Sequence, residues 1–596
     1  MAYFTLHAYD ADVFIPSFAG LRQSEEMASD SRYAMEAENV ETVRGVLQPM
    51  AAQTVLDYSF NAKIETIARF HRRWYAGAGS KDWLVVASDG KLYYMQESGN
   101  SWTELKTLSE TFASTTNSTT LTSIKIDGKK YKSNFTDANP VPATFTFTRG
   151  ESSWSANPAE YGVTYTGDPA QGDYITVAYS SSLDSTSFSC NVWSYVTYEI
   201  NPVGSSSPVD ILLLSNAQDG MIMVVPPYTA TLSSADWMIL NVDTRSDPTV
   251  SGSGPKFGVI ERYAERIWGG AIPDEPDMLI YSRPYDPTNW TVEEQNWNTP
   301  GENEEEPEDV GGSIQQPSWD GDSFTMLKCF GSQLIAFKKH KVWRILGTDP
   351  GEYTFKEQYG GGTAYPNTAI VDTERIIMAE RDGLSVYDGL AVTPFNRFCI
   401  EDLWKTVKSS DEMCAALFKN RYYIAIPTGS SAVNNALIVY NAEENTFLFY
   451  KDIYIESMMA TDERLYYTSS TIPGKIGIIN YDSWESGQSI LKATKWVTPW
   501  MDFSRKSIAK GGYEIYFNPE VKGGPVTFTF SIQNEKKTKS KNITIQPTTT
   551  AAKQKRIRFG GTGRKFRLIV ETPVHTGETT WRLVGGIQMV VEIDPD

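Results

Sequence analysis

Residues 415–419, 421–427, 436–440 and 446–450 are four apolar-rich runs separated by turn residues, all inside a stretch of fewer than 40 residues. A helix needs ten or more residues with apolar positions three and four apart. These runs are too short for that, and their side chains alternate with a period of two. They therefore read as an antiparallel meander of four strands. Such a small sheet carries two apolar faces and cannot bury both by itself, so the fold must supply neighbouring sheets to cover them.

The same pattern recurs along the chain. Residues 83–88 and 91–96 flank Asp89-Gly90, a strong two-residue hairpin signal. Residues 326–330, 333–338 and 341–346 follow suit, as do 375–379 and 384–387 around Asp382-Gly383, and then 458–461, 464–468 and 475–481. Four-strand meanders repeating every ~40–50 residues are the pattern of β-propeller blades. The sequence thus predicts an all-β chain. A propeller of six or seven blades would occupy 55–107 and 206–482.

Composition shifts mark the other regions. Residues 108–205 are rich in Ser, Thr, Asp and Tyr and alternate cleanly at 142–148, 161–165 and 172–179, which predicts an inserted small β-domain. Residues 483–596 contain about seven further strand-like runs with irregular loops, which suits a C-terminal β-sandwich. Gly560–Lys565 lies between two of them and reads as a turn. Residues 1–54 form an N-terminal segment with one short helix expected at 31–40, capped by Asp30.

The stretch 263–290, YAERIWGGAIPDEPDMLIYSRPYDPTNW, reads as a hairpin with a rigid exit. Residues 266–270 form one strand. Pro273-Asp274-Glu275-Pro276 cannot continue it, because proline lacks the donor N–H and fixes φ. Residues 278–282 supply the return strand, and Asp286-Pro287-Thr288-Asn289 is turn chemistry ending on Trp290.

With 596 residues the chain exceeds one ordinary core, and 40% hydrophobic residues suffice for several packed interiors. The net charge of −19 argues against a general grip on nucleic acid, which requires a basic surface. The charge is uneven, however. Residues 491–596 hold 18 Lys+Arg against 9 Asp+Glu, leaving 36 against 64 for the remainder. That asymmetry reads either as a solvated basic face or as a surface docking on an acidic neighbour. The candidate docking residues are Lys536, Lys537, Lys539, Lys541, Lys555, Arg556, Arg558, Arg564 and Lys565. The four cysteines, Cys190, Cys329, Cys399 and Cys414, form no CxxC pair and indicate no disulfide framework; Cys329 and Cys414 read as small buried hydrophobes. No secretory signal and no apolar run long enough for a membrane span occur, so folding in a cytoplasm is expected.

Catalytic patterns are weak. His7, His71, His340 and His575 are scattered without zinc-ligand spacing. Gly560–Lys565 is glycine-rich and basic but precedes a strand, whereas a phosphate cradle needs a helix N-terminus. Ser98–Trp102 is a poor match to the Asp-box turn of propeller glycosidases. No catalytic residue, cofactor or metal is therefore assigned. Tryptophans 268, 290, 297, 343 and 404 read as blade packing, with sugar stacking as the alternative. The densest charge run holds Glu302, Glu304, Glu305, Glu306, Glu308 and Asp309. It reads as a solvated loop, as a divalent-metal site lacking EF-type spacing, or as an acidic rim on a lumen that would repel DNA phosphates.

Four segments together resemble one family. They are Gly20-Leu21-Arg22 with Asn39-Val40 and Arg44–Pro49; the 263–290 stretch; the inserted module, with FTFT…W…YGVTYTGDPAQGDYITVAY; and the C-terminal region, which opens on TKWVTPWMDF and closes on WRLVGGIQMVVEI. The layout resembles the tail nozzle, or packaged-DNA stabilisation, proteins of short-tailed bacteriophages. Propeller proteins of long phage tails share similar pieces. The resemblance implies a virion tail protein in a homo-oligomeric ring, usually of six copies, below the portal and its adaptor. Such a ring retains and guides DNA during packaging and ejection and carries fibres or a tail needle. It implies no catalytic residue. Two alternatives stay open: a tail-tip receptor-binding or fibre-attachment protein whose inserted domain recognises host glycans, and a propeller glycosidase.

Overall fold

In the computed structural model the described residues are 9–23, 32–73, 81–99, 101–114, 120–123, 144–148, 164–166, 174–200, 208–226, 237–242, 255–287, 290, 311–315, 322–358, 360–363, 365–395, 397–408, 412–487, 489–501, 510–547, 553–575 and 578–593. They are nearly all β, organised in many small antiparallel sheets. No helix among them is long and apolar enough to cross a membrane. The chain divides into two compact units. One comprises 1–59, 364–388 and 392–596; the other comprises 60–363 and 389–391.

The second unit holds three four-stranded sheets, spanning 64–104, 259–315 and 324–358, and one nine-stranded sheet. Its hairpins follow the expected register. Lys81–Ser88 pairs with Lys91–Gln96 across Asp89 and Gly90, both at positive φ as a tight primed turn requires. In the 263–290 stretch, Arg266–Gly270 pairs antiparallel with Met278–Tyr281, bringing Trp268 opposite Tyr281. The Trp290 indole donates to the Pro287 carbonyl at 2.9 Å and closes the turn. Arg266 is buried beneath the Tyr281 ring and donates to the Ser282 carbonyl, so the hairpin encloses a cation.

The nine-stranded sheet changes the expected boundary of the insertion. Ser194–Ile200, Val209–Asn216, Gly220–Val225 and Met238–Asn241 form a four-strand antiparallel run. Lys106–Ser114 adds to that run in parallel, at Lys106↔Met238 and Thr107↔Ile239, followed by Tyr174–Asp184 and Thr144–Thr148. Residues 194–200, expected within the insertion, thus belong to the next meander. Alternation alone cannot tell where one sheet stops when the following strand has the same period.

The first unit holds three more four-stranded sheets, at 370–394, 414–451 and 457–479, and a two-sheet sandwich. The sheet at 414–451 matches the four sequence runs, with Ile424, Ile438, Leu437 and Val439 fully or almost fully buried. The 457–479 sheet takes its fourth strand from far upstream: Gln53–Val55 pairs with Ile476–Ile479.

The sandwich also recruits the N-terminal segment. One sheet runs Val40–Val43, Val46–Pro49, Thr580–Ile593, Lys510–Lys522, Lys555–Gly563, with Tyr9–Ile15 also paired to Thr580–Ile593. The other runs Glu36–Glu38, Thr494–Val497, Phe566–Thr572, Val526–Asn534, Thr538–Ile545. Alternate residues Val526, Phe528, Phe530 and Ile532 enter one core with Ile515, Phe517, Leu568, Val570 and Trp581. Each such side chain contributes ~1.5–3 kcal/mol on burial.

The helix expected at 31–40 does not form. Residues 36–38 and 40–43 are two strands broken at Asn39, which has φ 57°. Glu36 and Glu38, two positions apart, share one face of a strand and are ion-paired to Lys495 and Lys451. Pairing with Thr494–Val497 overrides a weak local helix propensity. The described residues of the N-terminal segment 1–54 instead supply strands to the sandwich and to the last small sheet. Gly560–Gly563, expected in a turn, extend the strand instead, which leaves only Arg564-Lys565 to turn.

Candidate docking surface on the C-terminal sandwich

The two sheets of the sandwich end side by side on edge strands, Lys555–Gly563 in one and Thr538–Ile545 in the other, each with one strand partner among the described residues. Open edges of this kind invite further pairing, and lysine is a common guard against it. All nine predicted basic residues lie on these two strands or on the turns next to them. The structure sorts them into three groups.

Lys539 and Lys541 stand on the inward face. Their cross-strand partners are Ile532 and Phe530, and the same face continues through Ile543 and Ile545 into the core. These lysines lace the seam between the sheets. The Lys539 ammonium donates to the Gly560 carbonyl of the opposite sheet, and the Lys541 ammonium lies 5.8 Å from the Phe559 ring centroid. Lys555 lies at the end of the inward face of its own strand, opposite Phe517.

Arg556 and Arg558 point to the outer face and both pair with Glu514. Their charge is half spent there, since one carboxylate serves two guanidinium groups. Arg556 also lies 5.7 Å from the Tyr516 ring centroid.

The remaining four sit on turns. The backbone amides of Lys536 and Lys537 donate to Asn534 Oδ1 at 2.9 and 2.6 Å. Those of Arg564 and Lys565 donate to the Glu535 carboxylate at 3.3 and 3.0 Å. Burial works to raise Glu535, but the backbone amides of Glu535, Arg564 and Lys565 with the Arg564 charge together outweigh it and hold the carboxyl below its usual range. The side-chain ammonium groups of Lys536 and Lys537 are left to face outward.

Between the sheets, at this end, lies a cleft of about 280 Å³. Tyr513, Ile532 and Phe559 line its apolar floor, with Lys536, Lys537 and Lys539 on the rim. Burial, with Glu535 nearby, raises the Tyr513 hydroxyl well above its ordinary value, so it stays a neutral phenol. Sequence reading found the basic residues by counting charge. It missed the cleft, because the apolar residues that floor it come from three different strands.

The other predicted cluster, Glu302, Glu304, Glu305, Glu306, Glu308 and Asp309, lies outside the described residues. Among the described residues no group of three or more His, Cys, Asp or Glu side chains could hold a metal ion. Cys414 is buried as expected, whereas Cys329 is only partly buried. His71 donates to the Asp82 carboxylate at 2.8 Å, and Arg69 forks onto the same group.

The sequence matches no family profile and no curated protein. Three likenesses to solved structures are low. The computationally designed Ika8 protein gives a TM-score of 0.32 at 8% identity, covering 72% of this chain and 98% of that one. The Neurospora crassa Pan2 WD40 domain gives 0.26 at 7% identity, covering 49% and 86%. An exo-β-1,3-galactanase from Phanerochaete chrysosporium gives 0.20 at 9% identity, covering 56% and 94%. Likenesses this low carry no argument about this chain.

Proposed function

We propose that the chain is a structural subunit of a short-tailed phage virion, forming a ring-shaped tail nozzle that retains and guides DNA. In this reading the six four-stranded sheets and the 194–241 meander are seven blades of one closed propeller. The strand Gln53–Val55 supports closure: it completes the last small sheet, and the chain then runs directly into the first, which begins at Ile64. The role is mechanical, and no catalysis is assigned.

The observation that carries the docking half of the proposal is the sandwich seam. Residues 535–565 contain ten Lys+Arg and a single acid, Glu535, in a chain whose net charge is −19. A basic surface held on a rigid sandwich suits a contact with an acidic neighbouring ring, while the acidic remainder disfavours adhesion of a passing duplex. The resemblance of the four sequence segments supplies the identity of that neighbour, the portal and its adaptor.

Deleting the sandwich would not test this, because the N-terminal strands would lose their partners. The test is negative-stain imaging and mass photometry of the purified chain, alone and mixed with portal and adaptor rings. Ring-shaped particles are expected. A monomer at every concentration and in every mixture overturns the proposal.

A further inference from the structure

The seam has more charge than edge protection requires. Lys539 and Lys541 account for the guard, since they lie inward and lace the two sheets. Lys536 and Lys537 add two cations at the cleft, and Lys555 adds one at the far end of its strand. None of Lys536, Lys537, Lys541 and Lys555 is ion-paired to a described residue; the nearby carboxylates are engaged elsewhere, Glu514 with Arg556 and Arg558 and Glu535 with two backbone amides. Crowding like charges costs stability unless something opposite meets them.

Two further features point to the shape of what meets them. Residues 538–542 are five consecutive exposed positions on a strand whose second edge pairs with no strand among the described residues, so that backbone edge can take an added strand. Beside it lies the cleft floored by Tyr513, Ile532 and Phe559, with room for one large apolar side chain. We infer that the seam is a peptide-binding site for an extended acidic segment of a partner protein. The segment adds as a strand to Thr538–Ile545, sets carboxylates against Lys536, Lys537, Lys541 and Lys555, and seats one apolar anchor in the cleft. The lysines also repel the same edge of a second copy, so charge selects the acidic strand over self-pairing. Nucleic acid fits less well: phosphates would use the lysines but neither the strand edge nor the apolar floor. The inference rests on the docking reading above and names the chemistry of the partner's contact.

The test uses the full chain and a fluorescein-labelled peptide of alternating Glu and Thr with one central Phe. Fluorescence anisotropy is measured against the same peptide with Gln for Glu, and against a single-stranded DNA oligonucleotide. The acidic peptide is expected to bind at least about tenfold more tightly than the Gln peptide, and to weaken as salt shortens the screening length. Lys536→Gln with Lys537→Gln, both on an exposed turn, should cost about tenfold without changing the melting temperature. Hydrogen exchange should show peptide-dependent protection at 538–545. Equal binding of the Gln peptide, tighter binding of DNA, or protection elsewhere overturns the inference. The outcomes separate from those of the ring proposal: rings without peptide binding sink only the peptide site, and peptide binding by a permanent monomer sinks only the ring.

Discussion

Glu41 and Arg421 are 380 positions apart in sequence and 3.1 Å apart in space, both with side chains almost fully buried. Glu41 lies on a strand of the sandwich, and Arg421 on the 414–451 sheet. Gln48 donates to the same carboxylate at 2.9 Å and also to Asp482 at 3.0 Å. Tyr423, Tyr450 and Tyr481 are also close enough to act on the Arg421 charge. The pair therefore ties the N-terminal strand to a sheet that forms hundreds of residues later. Removing one partner strands a buried charge, so Glu41→Ala should cost about 3–5 kcal/mol in urea unfolding.

The same carboxyl should make stability depend on pH. Burial pushes Glu41 up to about 7, against the pull of Arg421 and Gln48 and with Asp482 adding to the rise. A carboxyl raised on folding binds its proton more tightly in the folded state. Between its ordinary value and about 7, the folded chain thus holds the proton that the unfolded chain has released. Stability must fall as pH rises through that window and level off above it. Glu41→Gln does not titrate, so wild-type stability relative to this variant should decline from pH ~5 to ~7. A rise over that range would show that Arg421 dominates instead.

Lys338 offers an asymmetric test in the other unit. Its side chain is fully buried, its ammonium pairs with Asp277, and it lies 4.8 Å from the Phe324 ring centroid. Asp277→Ala takes this carboxylate away from a buried ammonium and should destabilise by up to about 3–5 kcal/mol. Lys338→Met removes the charge and keeps most of the volume, so its cost should be clearly smaller. Denaturation of the two variants side by side decides it; equal losses would mean that the pair is worth no more than its packing.

The small sheets were legible because each strand is short, alternates, and is punctuated by residues such as Asp89-Gly90 whose backbone preference is local. The sandwich core was legible for the same reason along 526–532. What stayed hidden is long-range pairing. Gln53–Val55 is a three-residue strand with no pattern of its own, recruited by Ile476–Ile479. Glu36 and Glu38 hid a strand because an ion-paired edge strand and a solvated helix draw on the same residue types. The docking surface was visible as charge, but its cleft needed the register that places Tyr513 opposite Phe559.

Asn39 explains why the segment at 36–43 breaks into two strands. Its backbone is left-handed at φ 57°, its side-chain oxygen accepts from the Lys451 amide at 2.8 Å, and its side-chain nitrogen donates to the Ala493 carbonyl at 2.9 Å. Asparagine tolerates this conformation better than other residues with a Cβ. Asn39→Ala removes both part-buried hydrogen bonds and adds backbone strain, for an expected loss of about 2–4 kcal/mol. Asn39→Gly keeps the backbone easy and loses only the bonds, so it should unfold at higher denaturant than the alanine variant. The reverse order would show that the left-handed backbone at this position imposes no strain on a residue with a Cβ.

Gly586 controls how Tyr9–Ile15 joins the sandwich. Gly585 and Gly586 are both left-handed, at φ 71° and 76°, where the pairing with Lys510–Lys522 shifts register between Phe517 and Pro519. This is a bulge that needs residues without a Cβ. A Cβ on Gly586 would collide with the Ile15 carbonyl, at the end of the strand that pairs with 587–593. A Cβ on Gly585 would meet only the Asn518 side chain, at 3.7 Å. Both substitutions carry the left-handed penalty of ~1–2 kcal/mol, but only Gly586→Ala should also push the N-terminal strand away. Limited proteolysis should then cut 9–15 faster in Gly586→Ala than in Gly585→Ala, with the sandwich core still resistant. Equal cutting in the two variants would mean that the strand is held by its ladder alone and not by the close approach at Gly586.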